Sequence, residues 1–329
     1  MLTPSAFMGT LLVVAGLLLV QDDTEALRAA FDQWQAAKQE FVKAWQEAQK
    51  QGKTGKGTMP DDVKKLQQAA EGLRDQFLAE AKGRLPAAAY DWRAMAHEDV
   101  RDYKAAADDL EKFIASLKAG SDEHRNALYR ISLAALNSKN PERAVKWMRV
   151  LIDAEKDVAK EKRVGDFVRT ALYPRELAEL GRYDELIAFA DEIEKDAPAG
   201  AMQARFLGTM GLKRTEAAEK IVDAVLEKRD AFPDLQGWAV QCKTAFLVGR
   251  LKHDNARALM EDYLRTDATN ASAVEKNHRT YVAAAAAMLG KAPPEVLVDH
   301  WIGAEKDPGA KPLEAWKGNV VLLDFWQSW

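Results

Sequence analysis

The feature that most constrains the fold is an apolar periodicity of three and four residues that runs from Thr24 to about Leu289. This spacing places apolar side chains on one face of a helix, and it recurs too often for a sheet protein. Two stretches show it most clearly: Leu27, Phe31, Trp34, Lys38, Phe41 and Trp45, and then Val63, Leu66, Ala70, Leu73 and Phe77. The glycine-rich connection 52–60 joins them, and Pro60 can open the second helix. Residues 22–85 are therefore predicted to form a helical hairpin.

A weak internal repeat follows the hairpin. The segment 181–198 resembles the second half of a tetratricopeptide repeat, and the segments after Arg101 and Lys139 have the same form. Looser copies centre on Ala218 and Ala256. The equivalent small or apolar positions are 106, 144, 186, 218 and 256, at steps of 38, 42, 32 and 38 residues. Tetratricopeptide units take about 34 residues, so the pattern predicts irregular relatives of that class over 86–290.

This resemblance implies a helical body that holds a protein or peptide partner in a groove, because stacked hairpins bury one face against the next. A plain spacer between other domains is an equally open interpretation. The first helices of the units match poorly, and Pro174 is expected to kink or break one of them. The sequence Lys291-Ala292-Pro293-Pro294 ends the pattern and predicts a domain boundary.

Beyond this boundary, the run 320–326 is apolar except for Asp324 and is entered from Lys317-Gly318. Such a run is typical of a strand buried on both faces. Residues 301–303 and 308–312 are interpreted as a short strand and a turn that precede it. The segment 291–329 is therefore predicted to begin a second, α/β domain.

The segment 317–329 resembles the opening strand of thioredoxin-like thiol–disulfide oxidoreductases of the TlpA/redoxin type. The resemblance implies thiol–disulfide exchange on protein disulfides with an upstream reductant, and no cofactor. It also implies a proton-relay role for Asp324, in the position that lies beneath the cysteine pair in that family. Trp329 would flank the nucleophilic cysteine. An acid that points outward from a strand end is the alternative for Asp324.

The sequence ends at Trp329, before any C-x-x-C motif, so the chain as given is expected to be redox-inactive. Three explanations are open. The sequence is a fragment, its reading frame ends at a mutated cysteine codon, or the next codon is a UGA read as selenocysteine.

The N-terminal stretch 7–20 is apolar apart from Gly9, Thr10 and Gly16. It resembles the core of a secretory signal and predicts an exported, periplasmic protein, with 1–21 as signal peptide or membrane anchor. A buried helix is the third alternative. No lysine or arginine precedes the stretch, and no clear cleavage site follows it.

The net charge and the few reactive side chains limit the kinds of chemistry that this chain can perform. A net charge of −4 offers no electrostatic footprint for nucleic acid, so no nucleic-acid partner is predicted. Cys242 has no second thiol to pair with and is interpreted as a small packing residue on a helix. The five histidines lack metal-ligand spacing and are assigned surface or capping roles, and Asp108-Asp109 is assigned to a solvated helix face or to the N-terminal turn of a helix. The histidines are His97, His124, His253, His278 and His300.

The fold expected from sequence is mostly α. A tetratricopeptide-like α-solenoid or superhelix is followed by the first strands of an incomplete thioredoxin-like α/β domain. The parent function expected from the resemblance is thiol–disulfide oxidoreduction, with protein or peptide partners recruited by the helical domain. The alternative is a non-enzymatic helical-repeat scaffold or peptide-binding protein.

Overall fold

The computed structural model describes residues 4–52, 59–266 and 272–289, and of residues 4–23 the backbone alone. Every regular element in these ranges is helical. The helices are α1 (Pro4–Lys50), α2 (Asp61–Glu80), α3 (Ala87–Asp99), α4 (Tyr103–Ile114), α5 (Asp122–Asn137), α6 (Pro141–Ala154), α7 (Tyr173–Glu179), α8 (Tyr183–Ile193), α9 (Pro198–Gly211), α10 (Thr215–Glu227), α11 (Gln236–Gly249), α12 (His253–Arg265) and α13 (Ala273–Met288). Single 3-10 turns lie at Lys160–Lys162 and Pro233–Leu235, and a π-helical turn at Val168–Leu172.

The chain divides between Glu192 and Ile193 into two compact units. In the first unit, α1 and α2 pack along each other as the predicted hairpin, and Pro60 immediately precedes α2. The rings of Phe31, Trp34 and Phe77 form the core of this hairpin, and Trp92 of α3 stacks on Phe31 at 5.7 Å between ring centroids. The aromatic core therefore joins the hairpin to the helices that follow.

Five hairpins continue the chain: α3–α4, α5–α6 and α7–α8 in the first unit, and α9–α10 and α11–α12 in the second. Helix α13 packs against α11 and α12. Along each unit, successive hairpins bury apolar faces against their neighbours, as in the contacts of α4 with α5 and of α10 with α11. The described part of the chain is thus a series of antiparallel helix pairs.

The same turn closes all five hairpins. Its central residue has a positive φ, between 58° and 70°, and is Arg101, Lys139, Gly181, Lys213 or Leu251. The amide of the next residue bonds back to the carbonyl five positions earlier, as from Asp102 to His97 at 2.9 Å. This is the Schellman motif that terminates helices with a left-handed residue.

The equivalence of the five repeat positions is confirmed by their burial. Each lies five residues after a positive-φ residue and has a relative exposure of 0%; the positions are Ala106, Ala144, Leu186, Ala218 and Ala256. The turn fixes where the second helix starts, and the fifth residue then faces the first helix at close range. A small or apolar side chain is needed there because the two helices pack closely.

The expected disturbance at Pro174 is also present. The amide of Tyr173 donates to the carbonyl of Val168, five residues back, so the chain makes a π turn immediately before α7. Pro174 stands in the first turn of α7, where a missing amide is tolerated. The third hairpin therefore keeps its helix pair despite an internal proline.

Helix α1 runs unbroken from Pro4 through the apolar stretch to Lys50. Over the described residues, no helix is both long and apolar enough to cross a membrane. The prediction of an exported protein with a cleaved or anchoring segment at 1–21 stays a prediction.

Candidate functional site

The candidate site is a cavity of about 370 Å³ in the second unit, here called the α10–α13 cavity. Its walls come from the end of α10, the turn Pro233–Leu235, and α11, α12 and α13. Leu226, Val240 and Leu259 supply apolar surface. Charged and polar groups converge on the same space from Arg229, Asp230, Gln236, Tyr263, Thr266, Glu275 and Arg279. Apolar walls with a few convergent polar groups are typical of binding sites.

Glu275 is the most deeply buried charged group of this cavity, with a relative exposure of 7%. It stands in the first turn of α13, whose N-terminus is capped by Ser272, and a carboxylate is favoured there by the helix dipole. One carboxylate oxygen accepts the hydroxyl of Tyr263, and the other accepts the amide of Gly237 at 3.2 Å. Burial, followed by this hydrogen bond to Glu275, raises the pKa of Tyr263. The carboxylate is thus fixed in position by two donors from different helices.

Arg279 lies one turn after Glu275 on the same helix. Its guanidinium donates to the carbonyl of Thr266 at 3.0 Å and to its hydroxyl at 2.6 Å. The same group lies 4.8 Å from the centroid of the Tyr263 ring, within cation–π range. A cation at the C-terminus of α12 also offsets the negative end of that helix. Arg279 therefore anchors the end of α12 while lining the cavity.

The close crossing of α11 and α13 depends on Gly237. A Cβ atom at this position would lie 2.4 Å from Cβ of His278 and 2.7 Å from the Tyr263 hydroxyl. Any larger side chain would clash at this position. Glycine therefore lets α11 approach α13 closely enough for its own amide to donate to Glu275. Gln241 and the Nδ1 atom of His278 are in contact at 2.9 Å one turn further along.

The rim of the cavity is charged and accessible. Arg229 donates to Asp262 at 3.0 Å, and both side chains are about half exposed. Asp230 is also exposed. Beneath the rim, the amide of the Gln236 side chain donates to the carbonyls of Val225 and Phe232, at 2.9 and 3.1 Å. The floor is thereby hydrogen-bonded within the chain, while the rim side chains are exposed to solvent.

A more open groove of about 400 Å³ lies in the first unit, between α1 and α3. Asp99 on its wall accepts Lys38 at 2.6 Å and Arg74 at 3.0 Å. Burial opposes the charge of Asp99, but these two hydrogen bonds prevail and hold its pKa below the usual range. Lys38, Glu98 and Asp99 of this groove are already paired within the chain, and the groove is more open, which makes it the weaker candidate.

The assignment of Asp109 to a solvated helix face is wrong. Asp109 is 3% exposed and makes a bidentate ion pair with Arg93, with N–O distances of 2.7 and 2.6 Å. His97 lies 3.9 Å from the same carboxylate, and burial is the main cause of its lowered pKa. The pair joins α3 to α4 as a structural contact. Periodicity alone could have found it, because Asp109 falls beside Leu110 and Phe113 on the buried face of α4.

Cys242 behaves as the packing residue expected from sequence. It lies against the buried cluster of Val222, Leu235 and Ala239, and burial raises its pKa to about 11. His124 has the expected capping role, because its Nδ1 accepts the amide of Gly120 at 3.4 Å. Across the ranges 24–52, 59–266 and 272–289, no group of three metal-ligating side chains is gathered. The predicted site residues Asp324 and Trp329 lie outside the described residues.

Comparison with known proteins adds little. No family model matches the chain, and no curated protein matches its sequence. Among solved structures, the chain is similar to the assembly chaperone of RpL4 (Acl4), residues 1–338, at 13% identity and a TM-score of 0.33. The likeness covers 75% of this chain and 95% of that chain. At this level of similarity it assigns neither a family nor an activity.

The identification as a TlpA/redoxin-type thioredoxin-like protein is wrong. No family model supports it, and all regular structure in the described ranges is helical. The predicted strands at 291–329 lie outside those ranges. An apolar run of seven residues does not by itself distinguish a buried strand from a buried helical segment, so the run 320–326 was too little to identify a fold class. The described part of the chain is a mostly α protein built from helical hairpins.

Proposed function

We propose that this chain is a non-enzymatic, tetratricopeptide-like α-solenoid protein that holds a protein or peptide partner, with the α10–α13 cavity as a point of contact. The observation that carries the proposal is this cavity, which combines apolar walls, a fixed buried carboxylate and an exposed charged rim at the junction of successive hairpins. Helical-repeat proteins use surfaces of this kind to bind extended segments.

The chemistry of the cavity suits a side chain of a bound segment. A volume of about 370 Å³ falls at the low end of the range for ligand pockets, too small for a folded domain and sufficient for a few side chains. Arg229 and Arg279 line it together with Asp230 and Glu275, so both signs of charge are available. Apolar contact from Leu226, Val240 and Leu259 would supply affinity, and the charged groups would supply selectivity.

Thiol–disulfide exchange has no support in the described residues. Their one cysteine, Cys242, has a raised pKa, and a thiol that resists ionisation is a poor nucleophile. Binding therefore accounts for the described structure better than redox chemistry.

The test is selection of peptides from a random phage-displayed library on the full chain, followed by calorimetric titration of the enriched peptides. Arg229→Glu reverses one rim charge and is expected to weaken binding at least about tenfold, or about 1.4 kcal/mol, because a partner group that pairs with the arginine would then face a like charge. Arg28→Glu is the matched control. Arg28 forms an ion pair of the same kind with Asp32, at 2.9 Å and similar exposure, in the first unit.

The control is expected to change the affinity by less than about twofold. The proposal fails if no peptide family is enriched, or if Arg28→Glu weakens binding as much as Arg229→Glu. Circular dichroism of both variants establishes that each remains folded.

A further inference from the structure

Glu275 differs from the other buried acids in what compensates its charge. The described part of the chain buries four acids, and three of them have an arginine partner. The three pairs and their N–O distances are Asp109 with Arg93 at 2.6 Å, Glu155 with Arg125 at 4.0 Å, and Glu176 with Arg175 at 2.9 Å. Glu275, the fourth, makes no ion pair with a lysine or arginine of the described ranges. Its charge is therefore buried without a counter-charge.

The two donors that Glu275 does have are neutral. They are the hydroxyl of Tyr263 and the amide of Gly237, one on each carboxylate oxygen. A carboxylate oxygen has two lone pairs, so the group has capacity for further donors. Because a buried charge without a counter-charge is costly, this carboxylate favours a ligand that brings a positive charge.

The arginines that line the cavity are engaged with other groups. Arg279, one turn along α13, donates to the carbonyl of Thr266 at 3.0 Å. Arg229 pairs at 3.0 Å with Asp262, which is not part of the lining. The second acid of the lining, Asp230, is exposed and makes no ion pair with a described residue. Both acids of the cavity thus lack a cation, while both arginines have a partner.

We propose that the α10–α13 cavity takes a lysine or arginine side chain of the bound segment, with its ammonium or guanidinium group against Glu275. The inference rests on the proposed function and specifies which kind of residue enters the cavity. Leu226, Val240 and Leu259 receive the methylene stem, as apolar surfaces commonly do for long basic side chains. The rim at Arg229 meets a different residue of the segment, so changes at Arg229 and at Glu275 report separate contacts.

The test is a double-mutant cycle between Glu275 and the basic residue of a selected peptide. Peptides enriched on the full chain are expected to share one lysine or arginine, and its replacement by methionine should weaken binding at least about tenfold. Glu275→Gln keeps the shape of the side chain, removes its charge and should weaken binding by a similar factor. Because both changes remove the same contact, the two together should cost about as much as either alone. Calorimetric titration of the four combinations measures this.

Glu219→Gln is the matched control. Glu219 belongs to the same unit and lies outside the cavity lining, and its charge is already paired with Lys243 at 2.8 Å and with Arg250 at 2.5 Å. Its loss is expected to change the affinity for the peptide by less than about twofold. A loss as large as that of Glu275→Gln would overturn the inference.

The outcomes separate this inference from the proposed function. Enriched peptides that lose affinity on Arg229→Glu but share no basic residue would overturn the inference and leave the proposed function standing. Fully additive losses in the cycle would do the same. The methionine peptide is titrated against the wild-type chain, so its unchanged affinity would overturn the inference even where circular dichroism shows that Glu275→Gln does not fold. Enrichment of no peptide at all would overturn both.

Discussion

Four of the five hairpin turns place an ordinary residue where the backbone favours glycine. Arg101, Lys139, Lys213 and Leu251 adopt the left-handed conformation, and only Gly181 avoids its steric cost. A left-handed non-glycine residue costs about 1 kcal/mol, so these turns persist because the two hydrogen bonds and the buried position that follows outweigh the strain. The repeat is weak in the sequence partly because four of the five turns have no glycine at the left-handed position.

Replacing Lys139 by glycine is expected to raise the free energy of unfolding by about 0.5–1 kcal/mol, because the strain is relieved and the side chain is exposed. Lys146→Gly is the control with the opposite sign. Lys146 is exposed in the interior of α6, so glycine there is expected to cost about 1 kcal/mol. Urea unfolding of both variants measures the difference. If Lys139→Gly does not stabilise the protein, the assignment of the turn is contradicted.

Cys242 should resist alkylation in the folded chain. Burial raises its pKa from 9.0 to about 11, so at pH 8 the thiolate is about 100-fold rarer than in an unfolded chain. We expect the reaction with iodoacetamide to slow by at least about 100-fold in buffer compared with denaturant. Equal rates in the two conditions would show an accessible, reactive thiol.

At the scale of elements, the helix crossings depend on a few positions with no spare volume. Gly237 brings α11 against α13, and Gly165 similarly lies where a Cβ would meet Leu151 and Glu155 at 2.7 and 2.8 Å. At both places a buried glutamate accepts the glycine amide, Glu275 in one and Glu155 in the other. The same arrangement therefore fixes the crossing of α11 and α13 in the second unit and the approach of the loop 163–165 to the end of α6 in the first.

Gly237→Ala is expected to lower the free energy of unfolding by about 1–3 kcal/mol, because the added methyl group forces α11 and α13 apart. Gly72→Ala is the matched control. Gly72 lies within α2 with nothing near its side-chain position, so alanine there should add about 0.5–1 kcal/mol through helix propensity. Denaturant unfolding with an equal effect at both sites would contradict the close crossing.

The contact of α10 with α11 is expected to weaken in acid. Glu219 accepts Arg250 at 2.9 Å and Lys243 at 2.8 Å, and these bonds lower its pKa from 4.5 to about 2. Because the folded pKa is depressed, the stabilisation is complete above pH 4.5 and is lost as the pH falls towards 2. The difference in unfolding midpoint between the wild type and Glu219→Gln should be constant from pH 8 to 5 and shrink below pH 4.5. A difference that does not change with pH would contradict this ion pair.

For the whole molecule, what could be predicted from the sequence was local. The first hairpin, the five buried repeat positions and the disturbance at Pro174 depend on residues within about 50 positions of each other that lie in regularly periodic segments, and periodicity reports such contacts directly. The α10–α13 cavity could not be predicted. Its residues extend from Leu226 to Arg279, and Gly237 brings them together through a crossing that leaves no pattern in the sequence.

The errors have equally specific causes. Asp109 was assigned by its chemical type, although its place beside Leu110 put it on the buried face and Arg93 compensates its charge. The thioredoxin assignment took the fold of 291–329 and the parent function from the sequence pattern of one short segment, 317–329. A local resemblance over a few residues carries much less information about fold than a periodicity sustained over 260 residues.

The most direct test of the account is hydrogen exchange of the full chain with and without a peptide selected on it. Partner binding at the α10–α13 cavity predicts slower exchange in 226–240, 259–266 and 275–279, the segments that form its walls. Exchange in α2 should be unchanged. Protection confined to the first unit, or no protection from a peptide that binds, would contradict the central claim.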